Sequence, residues 1–175
     1  MTRRLTVKID GRLSLTLIFN MGVKATAHSG KYRNIIGKFT PNHPEKYRGS
    51  YPLVYKSKLE ARMMLYLDSN QNVKSWVYEP ASIQYIDKSD RNRKKNYWID
   101  FMVEMVVNGT LKRLWIEVKP SGETHKPTGN KYTSTLLEST KTYIKNLCKW
   151  TAAKQLAKHR GAEFMIVTED FFKKK

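Results

Sequence analysis

Residues 97–119 read YWIDFMVEMVVNGTLKRLWIEVK, and the fold turns on this stretch. Tyr97, Ile99, Phe101, Val103, Met105 and Val107 fall on every second position, and so do Leu114, Ile116 and Val118. Successive side chains of a strand point to opposite faces, so this alternation predicts two half-buried strands. Asn108-Gly109 lies between them. Both residues tolerate the positive φ that a two-residue hairpin turn demands. A two-residue loop fixes the register: Val107 faces Thr110, Met105 faces Lys112 and Glu104 faces Arg113. The last is an opposite-charge pair, which supports that register. Counting on, Asp100 falls opposite Glu117 and Trp98 opposite Lys119, and alternation puts Asp100, Glu117 and Lys119 on one face.

Opposed residues have Cβ atoms roughly 4.5–5.5 Å apart. Two carboxylates that close repel, and one must take up a proton unless a cation relieves them. A hard divalent ion such as Mg²⁺ or Mn²⁺ takes such oxygens as ligands, with water and phosphate completing its shell. Lys119 beside them can neutralise a phosphate or assist an attacking water, which points to metal-assisted phosphodiester hydrolysis. The alternative is that each acid pairs with a surface lysine or arginine on a wet face. Two things favour the cation: a helix should cover this face in an α/β sandwich, and Lys119 shares it.

Outward from the hairpin, residues 57–70 predict a helix, with Leu59, Met63, Tyr66 and Leu67 at helical spacing and Ser57-x-x-Glu60 as a capping box. Glu60 reads equally as cap or as ligand. Residues 73–78 and 82–86 predict short strands, and residues 87–96 a basic loop. Residues 140–160 predict the longest helix, with Tyr143, Leu147, Trp150 and Ala153 buried and Gly161 just beyond its end. Residues 163–168 predict a final strand, a crossover after that helix. Near the start, Asp10-Gly11 separates two alternating segments, a hairpin signal. The organisation expected is a basic hairpin and extended arm over residues 1–50, then one α/β domain over residues 51–175.

The chain has 175 residues and 33 Lys+Arg against 15 Asp+Glu, a formal net charge of +18. That excess points to a polyanionic partner, DNA before an anionic membrane. Arg91, Arg93, Lys94 and Lys95 in the basic loop are candidate phosphate contacts, as are Lys141, Lys145 and Lys149, a helix ridge at four-residue spacing. The one cysteine, Cys148, excludes an internal disulfide framework. No apolar run is long enough to span a bilayer, so no membrane partner is expected. The histidines show no metal-ligand spacing, and no phosphate-binding glycine loop is present.

Asp100 followed by Glu117-Val118-Lys119 resembles the D…(D/E)-x-K signature of restriction-endonuclease-like nucleases. Residues 37–49, 54–60, 97–101, 115–120, 149–153 and 161–169 together resemble the head completion nucleases of T-even-type tailed phages. The same core is similar to the endonuclease subunit of heteromeric transposases. The resemblance implies an α/β fold with a restriction-endonuclease-like αβββαβ core and a mixed sheet, and it leaves the N-terminal β-hairpin arm outside. It implies a Mg²⁺-dependent endodeoxyribonuclease acting in head completion after DNA packaging. Glu60, Asp100 and Glu117 would hold the metal and Lys119 would be the catalytic lysine. Ile99 stands where the family pattern commonly has proline. The implied partners are DNA and portal or neck proteins. The implied places are the host cytoplasm during assembly and the head-tail connector of the virion. A non-catalytic DNA-binding connector and a transposase-type subunit are the alternatives.

Overall fold

The computed structural model describes residues 2–9, 13–20, 36–129 and 133–173. The strands among them are β1 (Thr2–Ile9), β2 (Leu13–Asn20), β3 (Gly37–Lys38), β4 (Val54–Tyr55), β5 (Val73–Tyr78), β6 (Ser82–Asp87), β7 (Arg93–Trp98), β8 (Phe101–Val107), β9 (Thr110–Val118) and β10 (Glu163–Val167). The helices are α1 (Lys58–Ser69) and α2 (Ser134–His159). A four-stranded mixed sheet runs in the order β10-β9-β8-β5, and β1-β2, β3-β4 and β6-β7 form separate two-stranded pairs. β1 and β2 pair antiparallel with Ile9 beside Leu13. The Asp10-Gly11 turn itself lies outside the described residues.

The chain divides into two compact units, residues 1–77 with 103–114 and residues 78–102 with 115–175. In the first, α1 begins as its capping box requires: the Ser57 hydroxyl accepts the Glu60 N–H at 3.1 Å. Its apolar stripe, Leu59, Met63, Met64 and Leu67, is buried. Asp68 is buried with it and accepts the backbone N–H of Asn42 at 2.9 Å and of His43 at 3.0 Å. The Arg48 N–H donates to the Trp76 carbonyl at 2.9 Å, and the Tyr47 and Trp76 rings meet at a tilt of 52° with centroids 4.7 Å apart. Residues 42–48, expected in the arm, are thus bonded to α1 and β5. Asn108 (φ 50) and Gly109 (φ 76) make the two-residue turn between β8 and β9. The Glu104 carboxylate meets Arg113 Nε at 3.2 Å, the pair that the expected register requires.

In the second unit, β6 and β7 pair antiparallel, Ser82 beside Trp98 and Asp87 beside Arg93. Their inner face joins α2 in one core of Ile83, Tyr85, Tyr97, Ile99, Trp115, Ala153, Ala157 and Ala162. The alanines are what let the helix approach the aromatic rings closely. α2 starts at Ser134, six residues ahead of the expectation, because the Thr133 side chain caps it through the Leu136 N–H. Its buried residues are Asn146, Trp150, Ala153 and Ala157, steps of four, three and four. The expected Leu147 is instead 41% exposed, since that spacing rotates it off the face. Gly161 (φ 67) ends the helix as expected.

Candidate active site

The break between β7 and β8 sets the site. Residues 97–107 were expected as one strand, but β7 stops at Trp98 and β8 resumes at Phe101. The Ile99 N–H donates to the Ala81 carbonyl at 3.3 Å, and the Asp100 carbonyl accepts the Glu79 N–H at 2.8 Å. Trp98 therefore pairs with Ser82, not with Lys119 as the ladder count had it. The break frees the Asp100 carboxylate to accept the Val118 N–H at 2.7 Å, which ties it to β9 one residue from Glu117. Lys119 follows β9, its N–H bonded to the Val167 carbonyl of β10 at 2.9 Å.

Glu117 is 2% exposed. Its Oε1 lies 3.4 Å from Lys119 Nζ, and its buried Oε2 makes no hydrogen bond. Burial pushes this carboxyl up, against the opposing pull of Lys119 and Lys149. The Trp150 indole N–H also eases the rise, from a position that closes no hydrogen bond of good geometry. Burial pulls Lys119 down, but Glu117, Asp100 and Glu123 outweigh it and hold the ammonium above its ordinary value. Lys149 is pushed the other way, by burial first and then by Lys119, with Glu117 and Asp100 only partly offsetting. Its Nζ stands 5.4 Å from the centre of the Tyr97 ring and 6.0 Å from that of Tyr85, in cation–π range. The Tyr97 hydroxyl is buried without a partner and is pushed up by burial, then by Glu117 and Asp100. Both carboxylates thus act on the same three groups, Lys119, Lys149 and Tyr97.

The other expected residues have partners of their own. Glu60 caps its own helix: one carboxylate oxygen accepts the Lys56 N–H at 2.7 Å and the other the Ser57 hydroxyl at 2.9 Å. Lys141 is exposed and pairs with Glu138 at 2.9 Å. The ridge of Lys141, Lys145 and Lys149 therefore splits, since Lys149 leans over Tyr97 beside Glu117. Gln155 is exposed. Only residues 88–92 form the basic loop, because Arg93, Lys94 and Lys95 lie in β7. Lys95 reaches Asp87 at 3.0 Å and Asp90 at 2.7 Å, while Arg93 lies 3.8 Å from Asp90. Lys95 is thus committed to internal charges.

A buried carboxylate oxygen without a hydrogen bond, on a side chain that meets Lys119 and with Asp100 bonded to the next residue of the strand, suits a hard divalent cation. Among the described residues no group of three or more His, Cys, Asp and Glu gathers to hold a metal. A cation here would take its protein ligands from Asp100 and Glu117, with water and phosphate completing its shell. Sequence reasoning missed Tyr97 and Trp150 beside Glu117, and took Lys149 only as one phosphate contact of a helix ridge. Their one signal was the helical spacing of Lys149 and Trp150 with Ala153, which turns them toward the sheet.

The mixed sheet, with Glu117 buried beside Lys119 and Asp100 tied to the same strand, is that of a nuclease-like α/β domain. The chain belongs to the TnsA-like endonuclease N-terminal family, whose pattern matches residues 70–169. It is also 31% identical over 140 residues to the head completion nuclease of Enterobacteria phage T4, covering 77% of this chain and 91% of that protein. No solved structure matches the chain. No helix among the described residues is long and apolar enough to cross a membrane.

Proposed function

We propose that the protein is a divalent-metal-dependent DNA endonuclease with a restriction-endonuclease-like core, acting in phage head completion after DNA packaging. The observation that carries this reading is the buried, unbonded Glu117 oxygen, with Lys119 at 3.4 Å from its neighbour oxygen and Asp100 acting on the same lysines. Asp100 and Glu117 would hold a Mg²⁺ or Mn²⁺ ion, which supplies charge stabilisation at the phosphate and a more acidic bound water. Lys119, kept protonated by the two acids, orients the water or a phosphate oxygen. Lys149 meets charge developing on the phosphate from the helix side, in a site where few waters screen it. Tyr97 and Trp150 wall that pocket and exclude bulk water. Arg91, Arg93, Lys94, Lys141 and Lys145 supply phosphate contacts further out. Glu60 is assigned to its helix cap.

The head-completion role rests on the near-full coverage of the phage relative. It implies work in the host cytoplasm and at the portal vertex, with portal or neck proteins beside DNA. The TnsA-like match carries a second reading, an endonuclease subunit that cuts only within a transposase complex. Supercoiled plasmid incubated with the protein in Mg²⁺, Mn²⁺ or EDTA tests both. Nicking or linearisation with metal, absent in EDTA and in Asp100→Asn and Glu117→Gln, is the expected result. A wild type that binds DNA but never cuts it, with either metal, would leave a connector or a partner-dependent subunit.

A further inference from the structure

The ribbon of β6 and β7 has two unlike faces. The inner one carries Ile83, Tyr85 and Tyr97 into the core. The outer one alternates with it and is exposed throughout: Ser82, Gln84 and Ile86 on β6, and Lys94, Asn96 and Trp98 on β7. The register pairs them across the ribbon as Ser82 with Trp98, Gln84 with Asn96 and Ile86 with Lys94. Trp98 is 55% exposed and Ile86 52%, a large apolar area for a two-stranded ribbon to show to water. No acid stands on this face. The two acids nearby, Asp87 and Asp90, are bound by Lys95 behind it. Lys88, Arg91 and Lys94 are left exposed at the tip and along the edge. The face is therefore cationic, with two side-chain amides at its centre and an indole at the end next to Asp100.

We propose that this outer face is a duplex-DNA contact, a ribbon lying in the groove beside the cleavage site; the proposal rests on the nuclease reading above. Six residues at about 3.3 Å each span about 20 Å, roughly six base pairs at 3.4 Å per step. A two-stranded ribbon fits the roughly 12 Å width of the major groove. Lys94 and Arg91 face phosphates. Gln84 and Asn96 present the paired donor and acceptor that adenine edges recognise. Trp98 packs on the nucleotide nearest Asp100, which orders the strand as it enters the site. The basic residues thus set affinity, and the amide pair sets preference.

Fluorescence anisotropy separates these roles, with labelled duplexes of differing sequence in Ca²⁺ across a salt series. The double variant Arg91→Gln/Lys94→Gln should bind every duplex more weakly and flatten the log–log salt slope by about 1.8, two contacts at about 0.9 each. Gln84→Ala/Asn96→Ala should keep the slope and lose discrimination between duplexes. Trp98→Ala should weaken binding and slow cleavage. Lys158→Gln/Arg160→Gln, which removes the same charge from the exposed end of α2, should leave the slope as in wild type. All these sites are exposed, and thermal melting checks that each variant folds. If the ribbon variants bind with wild-type affinity, slope and preference while wild type binds and cuts, the ribbon proposal fails and the nuclease reading stands. In that case the face takes a protein partner instead. If wild type binds no duplex at all, both fail together. An equal fall in slope for the Lys158/Arg160 pair would also overturn the proposal, reducing it to net charge.

Discussion

Glu60 and Glu117 have the same side chain and opposite situations. Glu60 stands at the start of α1, where both carboxylate oxygens accept hydrogen bonds from the turn they close. Glu117 stands at the buried end of β9, with one oxygen beside Lys119 and the other bonded to nothing. The first is a carboxylate whose needs the local backbone meets. The second is held at a cost, since burying a charge without full hydrogen bonding is unfavourable. Natural cores rarely keep such a group unless a ligand completes it. The contrast teaches that an acid's partners, and not its place in a motif, separate structural acids from chemical ones.

The largest effect expected is on Glu117 itself. Glu117→Gln should abolish plasmid cleavage while melting no lower than wild type in EDTA, because it removes a strained charge. Differential scanning fluorimetry with and without Mg²⁺ sharpens the point. At one hundred times its dissociation constant the metal should stabilise wild type by about 2.7 kcal/mol, and the variant not at all. Lys149→Gln comes next. It should slow cleavage by on the order of a hundredfold, as loss of one donor to developing charge does. Lys141→Gln should act only through the salt-dependent part of DNA affinity. A Lys149 variant that behaved like the Lys141 one would return both to a single surface ridge.

Glu60→Ala should cost about 1 kcal/mol of stability, the worth of a helix cap, with cleavage retained below the melting point. If Glu60→Gln folds and yet abolishes cleavage and the metal-induced stabilisation, the three-carboxylate expectation replaces the cap. The smallest effect concerns Asp87. Burial pushes its carboxyl up, but hydrogen bonds from Ser89 and Lys95 more than offset that and hold it below the usual range. A depressed carboxylate adds stability above its unfolded value of about 3.9, and that stability is lost as the pH falls through the folded value. Asp87→Asn should therefore melt lower at neutral pH, with the gap to wild type closing in acid.

The hairpin at the centre of the sheet was legible because three local signals agreed: alternation, Asn108-Gly109 and the Glu104–Arg113 pair. Capping by Ser57 and the end at Gly161 were legible for the same reason, being set within a few residues, while Glu60 read equally as cap or as ligand. The break at Asp100 was not. Alternation continues unbroken through Ile99, while the partners that bend the chain, Glu79, Ala81 and Val118, come from elsewhere in the sequence. The β6–β7 ribbon was missed in part because Arg93 to Lys95 have a loop's composition, and cross-strand pairing overrides it. The role of Lys149 depends on how α2 rotates against the sheet, which the alanines at 153 and 157 decide.

The central claim is that Asp100 and Glu117 together bind the divalent ion that supports cleavage. Isothermal titration of Mn²⁺ into wild type, Asp100→Asn and Glu117→Gln tests it without DNA and without turnover. The account predicts binding by wild type that either substitution removes, with the folded state unchanged by circular dichroism. The same isotherm in wild type and in both variants would contradict it.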